Sequence, residues 1–249
     1  MATDTRIELC GQLTVRLEGR RVEADLPGRQ GRALFAFLAL NRARTVPRPE
    51  LLQAVWPEAV PDAVDAGLSA LLSKLRRAVG AERLEGRTAL RLHLPADAWV
   101  DVEAASEALH RAESAVARGD WTAAWGPARV VQHVTARPFL AGEEAPWVVD
   151  RRRRLEEMHV RALELAAEAC LGIGGAELDT AERAARSLVE QVPFRESGHR
   201  YLMRVLAARE NPAEALRVYE SLRVLLREEL GVAPAAATQD LHRALLAEG

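Results

Sequence analysis

Five side chains in the stretch LSALLSKLRRAVG, residues 68 to 80, have the chemistry to hold a polyanion: Ser69, Ser73, Lys74, Arg76 and Arg77. At about 100° per residue, Leu68, Leu71, Leu72, Leu75 and Val79 share one stripe of a helix. Ala66, Ser69, Ala70, Ser73 and Arg77 fall opposite, with Lys74 and Arg76 on the flanks. The outward face is slim in its first half and cationic in its second. Serine hydroxyls can bond to base edges, alanine methyls can touch thymine, and the cations suit phosphates. A solvated outer face on a core helix has the same composition, so the rest of the chain must separate the two readings.

Covalent and metal chemistry find little support. Lys74 is the only lysine, and it follows Ser73 inside a helix rather than the glycine of a phosphate loop. His93, His110, His133, His159, His199 and His242 never approach zinc-ligand spacing, and no G-x-S-x-G elbow occurs. Cys10 and Cys170 form no redox or metal motif. No enzyme, cofactor or metal is expected. No apolar run reaches membrane length and the first residues do not form a secretion signal, so the expectation is a cytoplasmic protein with no membrane partner.

The net charge of −2 hides an asymmetry: residues 1–100 carry +3 and residues 101–249 carry −5. A mildly basic front and an acidic rear fit a nucleic-acid module joined to a protein-contact module.

The elements that would position the helix can be read in order. RIELCGQLTVRLEGRRVEADL alternates Leu13, Val15 and Leu17 with polar residues and turns at Glu18-Gly19-Arg20, so it reads as strands. QGRALFAFLALN is a helix with Leu34, Phe37 and Leu38 on its apolar stripe. RTVPRPELLQAVWP places Pro49 in a first helical turn and stops at Pro57. PEAVPDAVDAG is read as the connection to the helix of residues 68 to 80, which Gly80 ends. RLEGRTALRLHLP returns to strand character, with Leu90, Leu92 and Leu94 alternating and Gly86 at a turn. Strands, three helices and a closing hairpin make the winged-helix plan, in which the third helix enters the major groove.

From Asp101 the periodicity is helical. Turns at Arg118-Gly119-Asp120, Gly172 to Gly175, Glu210-Asn211-Pro212 and Gly231 to Pro234 delimit helical hairpins. DTAERAARSL and NPAEALRVYESL resemble each other at an offset of 32 residues, in the manner of tetratricopeptide (TPR) repeats, whose stacked pairs mostly bind proteins or peptides. The fold class is therefore mainly α with a small β component. A winged helix-turn-helix domain, residues 1–97, precedes an all-α TPR-like helical repeat domain, residues 98–249.

Taken together, GRALFAFLALN, VPRPELLQAVWP, LSKLRRAVG, RPFL, RRLEEMHVRALE, PFRESGHRYLMRVLA, AEALRVYESLRVLLREELGVAP and LHRALL lie in one order along the chain. That ordered set resembles the SARP-type activators, the antibiotic regulatory proteins. Their plan is an OmpR-type winged helix followed by a bacterial transcriptional activator domain (BTAD) of tetratricopeptide-like helices. The resemblance implies binding of direct repeats in double-stranded promoter DNA, recruitment of RNA polymerase holoenzyme, a homodimer as one assembly, and control of a secondary-metabolite gene cluster such as one for antibiotic biosynthesis.

On that template the DNA contacts are Ser69, Ser73, Lys74, Arg76 and Arg77 on the third helix, Arg87 at the wing tip, Arg48 before the second helix, and Arg29. Arg29 stands beside Gln30, where the family commonly has lysine. Glu58 and Asp62, in the loop between the second and third helices, match the place where OmpR-type activators can touch polymerase. The chain departs from the pattern at Ala66, Gly67 and Ala70, where the family carries hydrogen-bonding side chains. Its wing, EGRTALRL, is short and lacks the usual Gly-Tyr pair. Those losses leave open a second reading, a TPR-type adaptor whose winged helix has weak or lost DNA binding. The run Arg151–Arg154 spans too wide an arc to share one face and is read as solvated positions paired with Glu156 and Glu157. Trp99, Trp121, Trp125 and Trp147 are read as core or domain-joint anchors.

Overall fold

The computed structural model describes residues 4–58 and 61–248, with the side chains of residues 61–63 and 248 left aside. The chain forms two compact units. The first gathers the residues up to Ala104 with Arg137–Leu155; the second gathers Ala105–Ala136 with the residues from Glu156 onward.

In the first unit β1 (Arg6–Glu8), β2 (Thr14–Leu17), β3 (Arg20–Arg21) and β7 (Trp99–Val100) form one sheet in the order β3-β2-β1-β7. β1 and β2 are antiparallel, with Ile7 opposite Val15, and β1 and β7 are parallel. Glu18 (φ +49°) and Gly19 (φ +84°) make the two-residue turn between β2 and β3, which requires positive φ at both positions. Three helices follow: α1 (Gly28–Leu40), α2 (Arg48–Val55) and α3 (Pro61–Val79). The small strand β4 (Val46–Pro47) pairs with β6 (Ala89–Leu92), and β6 pairs with β5 (Leu84–Glu85) in the wing hairpin.

The apolar stripe read from residues 68 to 80 is the buried face of α3: Leu68, Leu72, Leu75 and Val79 are at most 2% exposed. Leu90 and Leu92 are buried with Arg91 exposed between them, as their alternation requires. The start of α3 corrects the sequence reading. The helix begins at Pro61, seven residues before Leu68, so only the first part of PEAVPDAVDAG is a connection. Proline suits a first helical turn and alanine is the strongest helix former, so the stretch can start a helix as readily as it can form a loop, and packing selects the helix. Gly67 sits inside the helix, where an added Cβ would meet the Trp56 ring at 3.8 Å, an ordinary contact.

Residues 137–155 pack onto this unit. Cys10 and Phe139 form an antiparallel bridge, flanked by Gly11 N–H to the Pro138 carbonyl (2.8 Å) and Leu140 N–H to the Leu9 carbonyl (3.0 Å). Asp101, fully buried, accepts the N–H groups of Leu9 and Cys10 at 2.9 Å each. The Trp147 ring meets Phe37 edge-on at 5.1 Å. Arg152 donates to the carbonyls of Phe139, Leu140 and Glu143 at 2.7–2.9 Å. This corrects the reading of the arginine run: Arg152 ties down a turn, and Arg153 pairs with Asp150 rather than with Glu156 or Glu157. The Leu140 carbonyl already accepts the Glu143 N–H at 3.1 Å, and the planar guanidinium adds a donor there while also reaching the Phe139 and Glu143 carbonyls.

The second unit is helical: most of α4 (Asp101–Ala117), α5 (Trp121–Thr135), the rest of α6 (Pro146–Ile173), α7 (Leu178–Gln191), α8 (Glu196–Ala208), α9 (Pro212–Leu230) and α10 (Ala236–Glu248). Small side chains let the helices approach closely. Ala112, Ala128, Leu163, Ala166 and Leu188 make one buried cluster, and Ala185, Leu202, Met203, Leu206, Ala215 and Leu245 another. Gly172 lies inside α6, not in the turn after it, and the Trp121 indole explains the glycine: an added Cβ would stand 2.6 Å from the ring. Glu164, buried, accepts Arg195 (2.8 Å) and Arg161 (3.3 Å) and so binds α6 to the start of α8. Burial pushes both cysteine thiols up to about 12, with the carboxylates of Asp101 and Glu177 adding to the effect, so neither is a nucleophile.

Candidate nucleic-acid interface

With its leucine stripe buried, α3 turns Asp65, Ser69, Ala70, Ser73, Lys74 and Arg77 to solvent. The sequence-predicted residues fall into distinct environments around it.

Lys74 and Arg77 face the start of α1. Together with Pro27, Gly28, Gln30, Leu71 and Ala78 they line an open cleft of about 680 Å³. α1 has no side-chain cap and no acidic residue in its first turn; the Gly28 and Gly31 N–H groups go to the Leu26 and Pro27 carbonyls, and the helix start adds positive potential there. Asp25 lies on the rim and is paired with Arg20 at 3.2 Å. Lys74 and Arg77 make no ion pair with any described residue, and both are exposed.

Arg76 is spent differently. Its guanidinium donates to the Leu84 carbonyl (3.1 Å) and the Gly86 carbonyl (2.6 Å), so it fastens the wing to α3. Gly86 (φ +98°) makes the sharp wing turn, where an added Cβ would fall 1.9 Å from the Ala89 carbonyl oxygen. Arg87, at the tip, is exposed and without an ion pair among the described residues. Arg20 and Arg83 donate to the Ala78 and Val79 carbonyls at 2.8 and 2.9 Å, capping the α3 C-terminus.

Arg48 is held at both ends. Its N–H donates to the Thr88 carbonyl beside the wing (3.1 Å). Its guanidinium donates to Asp65 Oδ1 (2.8 Å) and Ser69 Oγ (2.9 Å). Arg29 pairs with Glu143 at 3.0 Å. Glu58 is exposed in the turn after α2. Asp62 falls in α3, not in a loop, and its side chain lies outside the described residues.

The structure therefore brings Lys74 and Arg77 together at one cleft and Arg48 and Ser69 together in another cluster. Arg76, Arg87 and Arg29 stand in three further settings. Asp65 was not singled out by the sequence reading. It stands four residues before Ser69, and that spacing was the available signal. Glu143, far along the chain from Arg29, offered none.

Residues 100–246 match the family model described as the bacterial transcriptional activator domain. The chain belongs to that family. Among curated relatives, the bacterial transcriptional activator domain chain is 32% identical over 220 residues to the regulatory protein AfsR of Streptomyces griseus, covering 87% of this chain and 22% of that one. It is 30% identical over 242 residues to AfsR of Streptomyces coelicolor, covering 97% and 24%. The transcriptional regulatory protein EmbR of Mycobacterium tuberculosis is 26% identical over 246 residues, covering 96% and 62%. The chain thus spans less than a quarter of the length of the AfsR relatives. A solved structure of Mycobacterium tuberculosis EmbR in complex with a low affinity phosphopeptide has the same fold, with a TM-score of 0.84 at 21% identity over 98% of this chain and 65% of that one. The family match and the AfsR relatives bear out the SARP-type resemblance, and the EmbR structure bears out the winged helix followed by a helical domain. Among these relatives AfsR is named a regulatory protein and EmbR a transcriptional regulatory protein.

Proposed function

We propose that this chain is a DNA-binding transcription activator of the SARP type, working in the cytoplasm. In this reading residues 1–97 bind promoter direct repeats, with α3 in the major groove and the wing along the backbone or minor groove. Residues 98–249 form a TPR-like platform for RNA polymerase or a second copy, with Glu58 beside the polymerase. The regulated genes are a secondary-metabolite cluster.

One observation carries the reading. The apolar side of α3 is fully buried, while Lys74, Arg77 and Arg87 are exposed and unpaired among the described residues. Cations left unneutralised on the outer face of a helix and at the tip of a wing suit phosphate contact. The test is binding of promoter fragments across salt. If Z phosphates are neutralised, log K falls with a slope of about −0.9Z against log salt. Arg77→Ala and Arg87→Ala each lower affinity and flatten that slope.

The adaptor reading draws on a different observation: Arg29, Arg48 and Arg76 are all engaged within the protein. It predicts weak DNA binding that neither substitution changes.

A further inference from the structure

The cluster of Arg48, Asp65 and Ser69 sets a carboxylate on the outer side of α3, where a helix meant only for phosphate should carry none. Arg48 Nε and Nη2 both donate to one carboxylate oxygen, Asp65 Oδ1, at 3.1 and 2.8 Å. Nη2 also reaches the Asp65 carbonyl (3.3 Å) and Ser69 Oγ (2.9 Å). No donor among the described residues meets the second oxygen, Oδ2. The exposures run opposite to those of a shielded acid: the arginine side chain is 21% exposed and the aspartate 53%. The guanidinium is the inner, fixed member, further held by its own N–H on the Thr88 carbonyl at 3.1 Å. The carboxylate is the outer one.

We propose that Asp65 is a base-reading residue, its Oδ2 accepting the exocyclic N4–H of a cytosine in the major groove, with Arg48 as the positioning residue that aims it. This rests on the reading of α3 as the helix that enters the groove. A carboxylate is acceptor-only, and cytosine presents the matching donor there. The guanidinium neutralises the charge that would otherwise repel nearby phosphates. It also fixes the side chain in advance, which lowers the entropy cost of binding. Ser69 gains a definite polarity from the same partner. Its oxygen accepts from Arg48, so its hydroxyl hydrogen is free to donate to a base acceptor, such as a purine N7, about one helical turn along from Asp65. An acceptor and a donor fixed by one guanidinium supply sequence readout that the alanines and glycine of this face cannot.

The test is selection from a randomised duplex pool by the purified full chain, with bound duplexes sequenced. The wild type selects cytosine at one position, by roughly five- to tenfold over other bases. Asp65→Ala abolishes the preference at that position alone. Asp65→Asn inverts it: Arg48 holds the amide oxygen, the amide NH₂ points outward, and guanine or thymine replaces cytosine. Arg48→Ala weakens the cytosine preference although Asp65 is intact. Should Asp65→Ala leave every position unchanged, the proposal is wrong. It is equally wrong if that variant binds all sequences more tightly with a steeper salt slope, because Asp65 would then only be masking Arg48. If the wild-type chain retains no duplex at all, the DNA-binding reading itself fails, and this inference goes with it.

Discussion

The indole Nε1 of Trp147 donates to the carbonyl of Ala54 at 3.0 Å, closing the last turn of α2 with a residue 93 positions away. The end of a helix leaves carbonyls without partners, and here a side chain from the 137–155 segment supplies one. The same ring packs edge-on against Phe37 and Phe139, at centroid distances of 5.1 and 6.0 Å. Trp147→Phe keeps most of the packing and loses the hydrogen bond, so it should cost about 1 kcal/mol in urea unfolding. Trp147→Ala loses both and should cost about 3–5 kcal/mol. Equal costs for the two would mean that the ring contributes nothing beyond its N–H.

Arg76 and Arg77 are neighbours with separable roles. Arg76 holds the wing through two carbonyls, whereas Arg77 is exposed beside the α1 start. Arg77→Ala should reduce the magnitude of the salt slope of DNA binding by about 0.9, the signature of one lost phosphate contact. Arg76→Ala should lower affinity with little change of slope, and should speed amide exchange in β5 and β6. Identical salt slopes for the two variants would remove the distinction.

At Gly86, any side chain is excluded by distance. The position has φ +98°, and a Cβ would fall 1.9 Å from the Ala89 carbonyl oxygen. Gly86→Ala must therefore open the wing turn, with a backbone cost of at least about 1–3 kcal/mol. Chemical shifts of residues 84–92 should move while those of the second unit stay in place.

Acid should weaken the second unit through His199. Its Nε2–H donates to the Pro193 carbonyl at 2.9 Å, while Nδ1 is buried without a partner. Burial holds the imidazole below its ordinary value of 6.5. His159, half-buried, is shifted the same way by desolvation. As pH falls below 6.5 the unfolded chain takes up protons that the folded chain refuses, so stability is lost on acidification. Each histidine contributes up to about 1.4 kcal/mol per pH unit until its folded value is reached. Asp101 works in the opposite sense at lower pH. Its folded value is raised by burial, so its contribution is lost as pH climbs above 3.8. Urea unfolding followed from pH 7 to 5 should show the histidine decline, and His199→Gln should make it shallower.

The sequence by itself determined what local periodicity can encode. The leucine stripe of α3, the alternation across Leu90 and Leu92, the order of strands, helices and hairpin, and the outward place of Lys74 and Arg77 all follow from side-chain direction at fixed repeat. The beginning of α3 was misread because Pro61 serves equally as a helix start or a loop residue, and only packing decides between them. Tertiary structure alone decided which arginines remain available. Arg76, Arg48 and Arg29 look alike in sequence, yet they are bound to the wing carbonyls, to Asp65 and Ser69, and to Glu143. It also decided that residues 137–155 pack with the first unit rather than with the helices that flank them in sequence. Such partners lie far apart in the chain, 93 positions for Ala54 and Trp147 and 114 for Arg29 and Glu143. A long, flexible cation can reach many acceptors, and its choice among them depends on a folded geometry that no local repeat records.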